Sequence, residues 1–176
     1  FMVFSSNKRY VRDFQMYVRN CYYTIPSKND FGEWAKAMSF GRYVNTEENE
    51  NVVGITNDAE YAIVHLDNIY ADNDIGLSRR RKTRFKEVET FGKEINSKYF
   101  EEGACFSVTG DTLFFASNRP DGYGGFDIYL TYKYTEDKWR KPINLGPEIN
   151  TEFDENFPEM VPGGKYLQFA SKGYNS

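Results

Sequence analysis

The chain has little of what most catalytic sites are built from. It holds one histidine, two cysteines and six prolines in 176 residues. A single imidazole, His65, with two distant cysteines, Cys21 and Cys105, cannot form a closed four-ligand zinc site. The cysteines fall at different phases of the sequence, so they read as two free or semi-buried thiols rather than a disulfide framework. No apolar run approaches the ~20 residues that cross a bilayer as a helix, so no transmembrane segment is expected. The i, i+3, i+4 spacing of an amphipathic helix is also missing. Basic residues are not in excess: 22 Lys and Arg stand against 26 Asp and Glu, a net charge of −4, which gives no footprint for nucleic acid. There is no G-x-S-x-G elbow, no phosphate loop and no dinucleotide fingerprint, and no cofactor is expected.

What is present is a repeat. The chain reads F-G-R-Y-V-N-T at 40–46, F-G-K-E-I-N-S at 91–97 and L-G-P-E-I-N-T at 145–151. The glycines Gly41, Gly92 and Gly146 are 51 and 54 residues apart, and an aromatic residue sits seven positions before each: Trp34, Phe85 and Trp139. Each motif is followed by an acidic spacer and then a short apolar run: V-V-G-I-T at 52–56, A-C-F-S-V at 104–108, F-P-E-M-V at 157–161. A turn follows at 57–60, 109–111 and 162–165, where Gly and Asn or Asp supply the positive φ of a tight hairpin. A second run comes at 61–66, 113–117 and 166–171, and F-M-V-F-S-S at 1–6 is a further copy of it. Third runs lie at 14–18, 74–78 and 126–131, and a fourth element leads from each aromatic residue to its glycine.

Four short strands per period, with aromatics at 18% of the chain, predict an all-β fold of repeated four-stranded antiparallel units, the pattern of a β-propeller blade. The expected blade segments are about 1–40, 47–91, 101–145 and an incomplete 155–176, giving 13 strands or about three blades. Propellers close with roughly four to eight blades, so this stretch is expected to be an incomplete propeller segment of a longer chain. Pro142 in the fourth element suits an outer edge strand. The G-x-x-[VI]-N-[TS] motif is then the crossover between units. In it Val44, Ile95 and Ile149 plug the space between blades, while Asn45, Asn96 and Asn150 satisfy loose backbone groups.

The third copy carries S-N-R-P-D-G-Y-G-G-F-D-I-Y at 117–129, then W-R-K-P-I-N-L-G-P-E-I-N-T at 139–151. It resembles the TolB-type, WD-repeat-like β-propeller of Bacteroidota cell-envelope proteins. The resemblance spans the whole chain, is closest over 97–171 and weakest over 47–96, where Asp67, Gly76 and Phe85 depart from the pattern. It implies a periplasmic, outer-membrane-associated protein whose partners are other envelope proteins, among them secretion or gliding machinery. It also implies a link to peptidoglycan through an OmpA-like domain outside this chain. The reading is a non-enzymatic scaffold for protein–protein interaction. Its alternatives are the substrate-recognition propeller of a hydrolase or peptidase and a propeller that binds a glycan or small ligand.

Several clusters bear on this choice. In the loop 117–127, Arg119 and Asp127 are expected to hold the second and third strands together; a ligand or cation site is the other reading. Asp72, Asp74 and Gly76 resemble the start of a calcium loop whose remaining ligands are missing. Cys105, in a predicted inner strand, is expected to be an inert thiol rather than a nucleophile served by His65. The acids Glu47, Glu48 and Glu50, Glu101 and Glu102, and Asp154 and Glu155 recur at one phase and read as a solvated rim. Arg79, Arg80, Arg81, Lys82 and Arg84 form a basic knot suited to an acidic partner surface or lipid headgroups. A longer insertion, 19–33, offers Tyr22, Tyr23 and Phe31 as exposed aromatic contacts.

Overall fold

The computed structural model describes residues 1–12, 15–27, 32–67, 73–135 and 138–174, apart from the side chain of Lys8. The chain is all-β. Among the described residues fifteen strands pair antiparallel throughout and no helix occurs. They form four sheets that follow one another along the sequence.

The first sheet has the order β1 (Met2–Val11), β2 (Met16–Thr24), β3 (Met38–Ser39). The second holds β4 (Asn49–Ile55), β5 (Tyr61–Asp67), β6 (Asp74–Arg81), β7 (Arg84–Phe85) and β8 (Glu89–Thr90). The third holds β9 (Glu101–Phe106), β10 (Thr112–Ser117), β11 (Asp127–Thr135), β12 (Lys138–Trp139) and β13 (Ile143–Asn144). The fourth is a pair, β14 (Glu155–Met160) and β15 (Leu167–Ser171).

The fourth element is broken rather than continuous. β7 and β8 both pair with β6, and β12 and β13 both pair with β11. In the first sheet a lone bridge between Pro26 and Trp34 precedes β3. Pro142 sits in the gap between β12 and β13, where its missing N–H costs no ladder bond. This breakage is why fifteen strands are found where thirteen are expected.

The hairpins are built by local chemistry, with one surprise. Gly110 (φ 74°), Gly163 (95°) and Gly164 (72°) take the left-handed region as expected, but in the 57–60 turn it is Ala59 that does so, at 55°. Its N–H donates to the Thr56 carbonyl, and the Arg80 Nε donates to the Ala59 carbonyl at 2.6 Å, so hydrogen bonds offset the steric cost.

The core lies between sheets. Val44, Tyr23, Phe40, Ala62, Val64 and Phe85 are buried where the first and second meet, with the Phe40 and Phe85 rings stacked 3.8 Å apart. Ile63, Ile75, Ile95, Leu113, Phe115 and Tyr129 fill the next junction. Two glycines let the sheets approach. A Cβ on Gly54 would sit 2.6 Å from the Ala104 carbonyl oxygen, and one on Gly103 2.7 Å from the Phe157 Cα. The three aromatics of the repeat meet different fates. Phe85 is fully buried against the first sheet, Trp139 is half-buried against Phe91 and Phe106, and Trp34 is exposed because no described sheet covers it.

Candidate functional site

The crossover motifs form a joint built three times. After Gly41, Gly92 and Gly146 the chain makes one turn, the glycine carbonyl accepting from residues three and four further on. Gly41 (φ 100°) and Gly146 (81°) require the left-handed conformation, whereas Gly92 does not adopt it. The turn delivers an asparagine that grips one residue of the sheet just completed. Asn45 Oδ1 accepts from the Cys21 N–H at 2.7 Å while its Nδ2 donates to the Cys21 carbonyl at 3.0 Å. Asn96 does the same to Ile75 at 3.1 and 2.8 Å, and Asn150 to Ile128 at 2.8 and 3.0 Å. Each amide thus extends the ladder one step past the end of the fourth element: it supplies the acceptor for the gripped N–H and shares the gripped carbonyl with the N–H of Phe40, Phe91 or Leu145.

Replacing Asn96 with alanine removes both bonds to Ile75 and a third to the Phe91 carbonyl at 3.1 Å. We expect a loss of about 2 kcal/mol, since the buried Ile75 N–H is left without its acceptor while the Ile75 carbonyl keeps only the Phe91 N–H. Urea unfolding measures it. A loss no larger than that of the exposed Thr90→Ala would remove the clamp from the account.

The residue after each asparagine fastens the next sheet. The amide and hydroxyl of Thr46, Ser97 and Thr151 donate to the carboxylates of Glu50, Glu101 and Glu155. These three glutamates are buried, at 1%, 0% and 0% exposure. The solvated acidic rim is therefore corrected for them: each carboxylate is enclosed because it satisfies the start of its own sheet. The three differ in what else they meet. Glu101 also accepts from Ser117 Oγ at 2.7 Å and Glu155 from Ser171 Oγ at 2.6 Å. Glu50 gains no such hydroxyl, because the corresponding strand end is Asp67, which pairs instead with Arg19 at 3.0 Å. The Glu50 Oε2 is buried without a hydrogen bond, and burial pushes its carboxyl up to about 7, against the hydrogen bonds of Thr46.

Arg119 and Asp127 do not hold each other. Arg119 forms a buried ion pair with Glu101 at 3.1 Å, donates to the Ile95 carbonyl at 2.8 Å and lies over the Phe115 and Tyr129 rings. It ties the crossover to the third sheet. Asp127 accepts from the Tyr123 and Gly124 N–H groups at 2.7 and 3.0 Å and from Asn144 Nδ2 at 2.7 Å, folding the glycine-rich loop onto β11. The separation follows from reach: Asp127 is consumed by the backbone of its own loop, which leaves Arg119 to face the previous crossover.

The basic knot lies on the hairpin between β6 and β7, whose turn passes through Lys82 at φ 58°. Arg79 bonds Glu60 through both Nε and Nη2, and Arg80 is held by the Ala59 and Lys82 carbonyls. Arg81, Lys82 and Arg84 are exposed and form no ion pair among the described residues. Three residues extend this surface that sequence reasoning did not connect to it. Arg42 donates to the Tyr43 hydroxyl at 3.3 Å, Lys86 lies over the exposed Tyr43 ring, and the Arg42 hydrogen bond, with Lys86 and Arg84 adding charge, lowers the Tyr43 phenol.

The aromatic insertion needs correction. Tyr22 and Tyr23 belong to strand β2 rather than to a loop. Tyr23 is 2% exposed, and its hydroxyl donates to the Thr83 carbonyl at 2.8 Å, so it packs the core instead of offering a contact. Tyr22 is half-buried and stacks on Phe4. Phe31 and Asp72 lie outside the described residues.

Burial pushes the Cys21 and Cys105 thiols up to about 12, leaving both protonated at neutral pH. His65 meets Asn51 rather than Cys105. Among the described residues no three His, Cys, Asp or Glu side chains converge to hold a metal ion. No helix among them is long and apolar enough to cross a membrane.

No family model matches the chain, and neither a curated protein nor a solved structure was found similar to it.

Proposed function

We propose that this chain is a non-enzymatic segment of a TolB-type β-propeller that scaffolds a periplasmic, outer-membrane-associated assembly. The observation that carries the reading is the thrice-built joint. Asn45, Asn96 and Asn150 each close a finished antiparallel sheet, and Glu50, Glu101 and Glu155 each open the next. Joints of one plan at a step of fifty-odd residues are what radial repetition of blades demands. The conserved chemistry of the repeat, buried carboxylates included, is spent on holding sheets together, which supports a structural role rather than catalysis.

The docking surface in this reading is the hairpin bearing Arg81, Lys82 and Arg84, with Arg42, Tyr43 and Lys86 beside it. Cationic side chains around an aromatic ring suit an acidic protein surface. In the parent protein, reversal of Arg81, Lys82 and Arg84 to glutamate is expected to cut cross-linked recovery of its envelope partner at least tenfold, with the melting temperature unchanged. Equal recovery from the variant would overturn the docking surface. Turnover of peptide or glycan by the purified chain would overturn the non-enzymatic reading.

A further inference from the structure

Residues from all four sheets converge on one polar cavity of about 520 Å³, within the range of small-ligand sites. Its wall includes Arg19 from the first sheet, Asn51, His65 and Asp67 from the second, Glu102 from the third and Phe157 from the fourth. His65 is 8% exposed. An Asn51 N–H faces its Nδ1 at 3.5 Å, which puts the ring proton on Nε2, and that atom is enclosed with no hydrogen-bond partner. Burial lowers its pKa, so the ring is neutral. An orphaned N–H of this kind is unfavourable wherever it is buried.

A second oddity lies in the same wall. Phe157 occupies a bulge of β14 in the left-handed region, at φ 52°, and the residue is 61% exposed. A bulky side chain is uncommon in that conformation, and such strain clusters at ligand sites. Asn156, next to it, donates to the Glu102 carboxylate and accepts from the Phe157 N–H at 2.7 Å, and this holds the bulge in place.

The geometry points to a binding site for a small neutral polyhydroxyl ligand, a saccharide unit. The wall carries donors (Arg19, the Asn51 amide) and acceptors (Asp67, Glu102, the Asn51 oxygen), and a sugar hydroxyl both gives and accepts. Arg19 and Asp67 cancel each other's charge at 3.0 Å, and Glu102 disfavours an anion. No triad of metal-ligating side chains forms among the described residues. The exposed Phe157 ring offers an apolar platform to the C–H face of a sugar ring. This site is independent of the docking surface proposed above and of where the parent protein resides.

His65 is the sole histidine, so its imidazole resonances report the cavity without ambiguity. In long-range ¹H–¹⁵N spectra the free chain is expected to show the Nε2–H tautomer. Titration with N-acetylglucosamine, cellobiose or myo-inositol is expected to shift the ring nitrogens saturably for at least one of them. Phe157→Ala, with its fold checked by amide spectra, is expected to weaken that binding at least tenfold. Imidazole resonances that stay fixed up to 20 mM of all three probes would overturn the proposal. So would equal affinity in folded Phe157→Ala, or a shift produced by choline or inorganic phosphate and by none of the sugars. If Phe157→Ala does not fold, Glu102→Gln takes its place with the same expected loss.

Discussion

Arg119→Ala is expected to destabilise the chain by about 3–5 kcal/mol, the usual cost of removing one partner from a buried ion pair. Glu101 has no exposure to water, and the Arg119 guanidinium pairs with it at 3.1 Å while itself only 11% exposed. The carboxylate would keep Ser97 and Ser117 as donors but lose its counter-charge. The Ile95 carbonyl would lose its donor, and the Phe115 and Tyr129 rings the cation above them. Urea unfolding gives the number. The double variant Arg119→Met, Glu101→Gln should recover most of the loss, because replacing both charges removes the uncompensated one. A single-variant loss under about 1 kcal/mol, typical of a surface pair, would contradict the enclosed joint.

The second large effect is a pH dependence at the first joint. Glu50 is raised from 4.5 to about 7 by burial. A carboxyl raised on folding is fully favourable below its unfolded value, here 4.5, and the contribution is lost as pH rises through about 7. At ~1.4 kcal/mol for each unit, wild type is expected to lose about 3 kcal/mol between pH 4.5 and 8 from this group. His65 has the opposite sign: its lowered value makes stability fall as pH drops through 6.5. The informative quantity is therefore the difference between wild type and Glu50→Gln. Glutamine keeps an acceptor for Thr46 and carries no charge, so its advantage should grow by about 3 kcal/mol from pH 4.5 to pH 8. A difference that stays constant over that range would show that Glu50 does not titrate upward.

Much of this was legible in the chain before any coordinates. The period fixed by Gly41, Gly92 and Gly146 located the joints, and the asparagines four residues later were identifiable as backbone partners because their offset never varied. The buried glutamates were legible too but were obscured by their neighbours. Glu50, Glu101 and Glu155 each lie four residues after Thr46, Ser97 or Thr151, while the acids around them drift in position. That fixed offset is the mark of a hydrogen bond rather than of a solvated rim. The Arg119–Glu101 pair could not be read, because it joins a loop to the start of a sheet eighteen residues back, with no local pattern to mark it. Tyr23 was misplaced for a related reason. Strand and insertion look alike where aromatics run together, and only the partner, Thr83, sixty residues on, decides which way the ring faces.

The asparagine clamps reach back only 24, 21 and 22 residues. A chain emerging from the ribosome can therefore make each clamp as soon as the following crossover clears the exit tunnel, before the next sheet arrives to complete the core. Contacts this local favour fast, vectorial folding and shorten the time in which unpaired strand edges are exposed to other nascent chains.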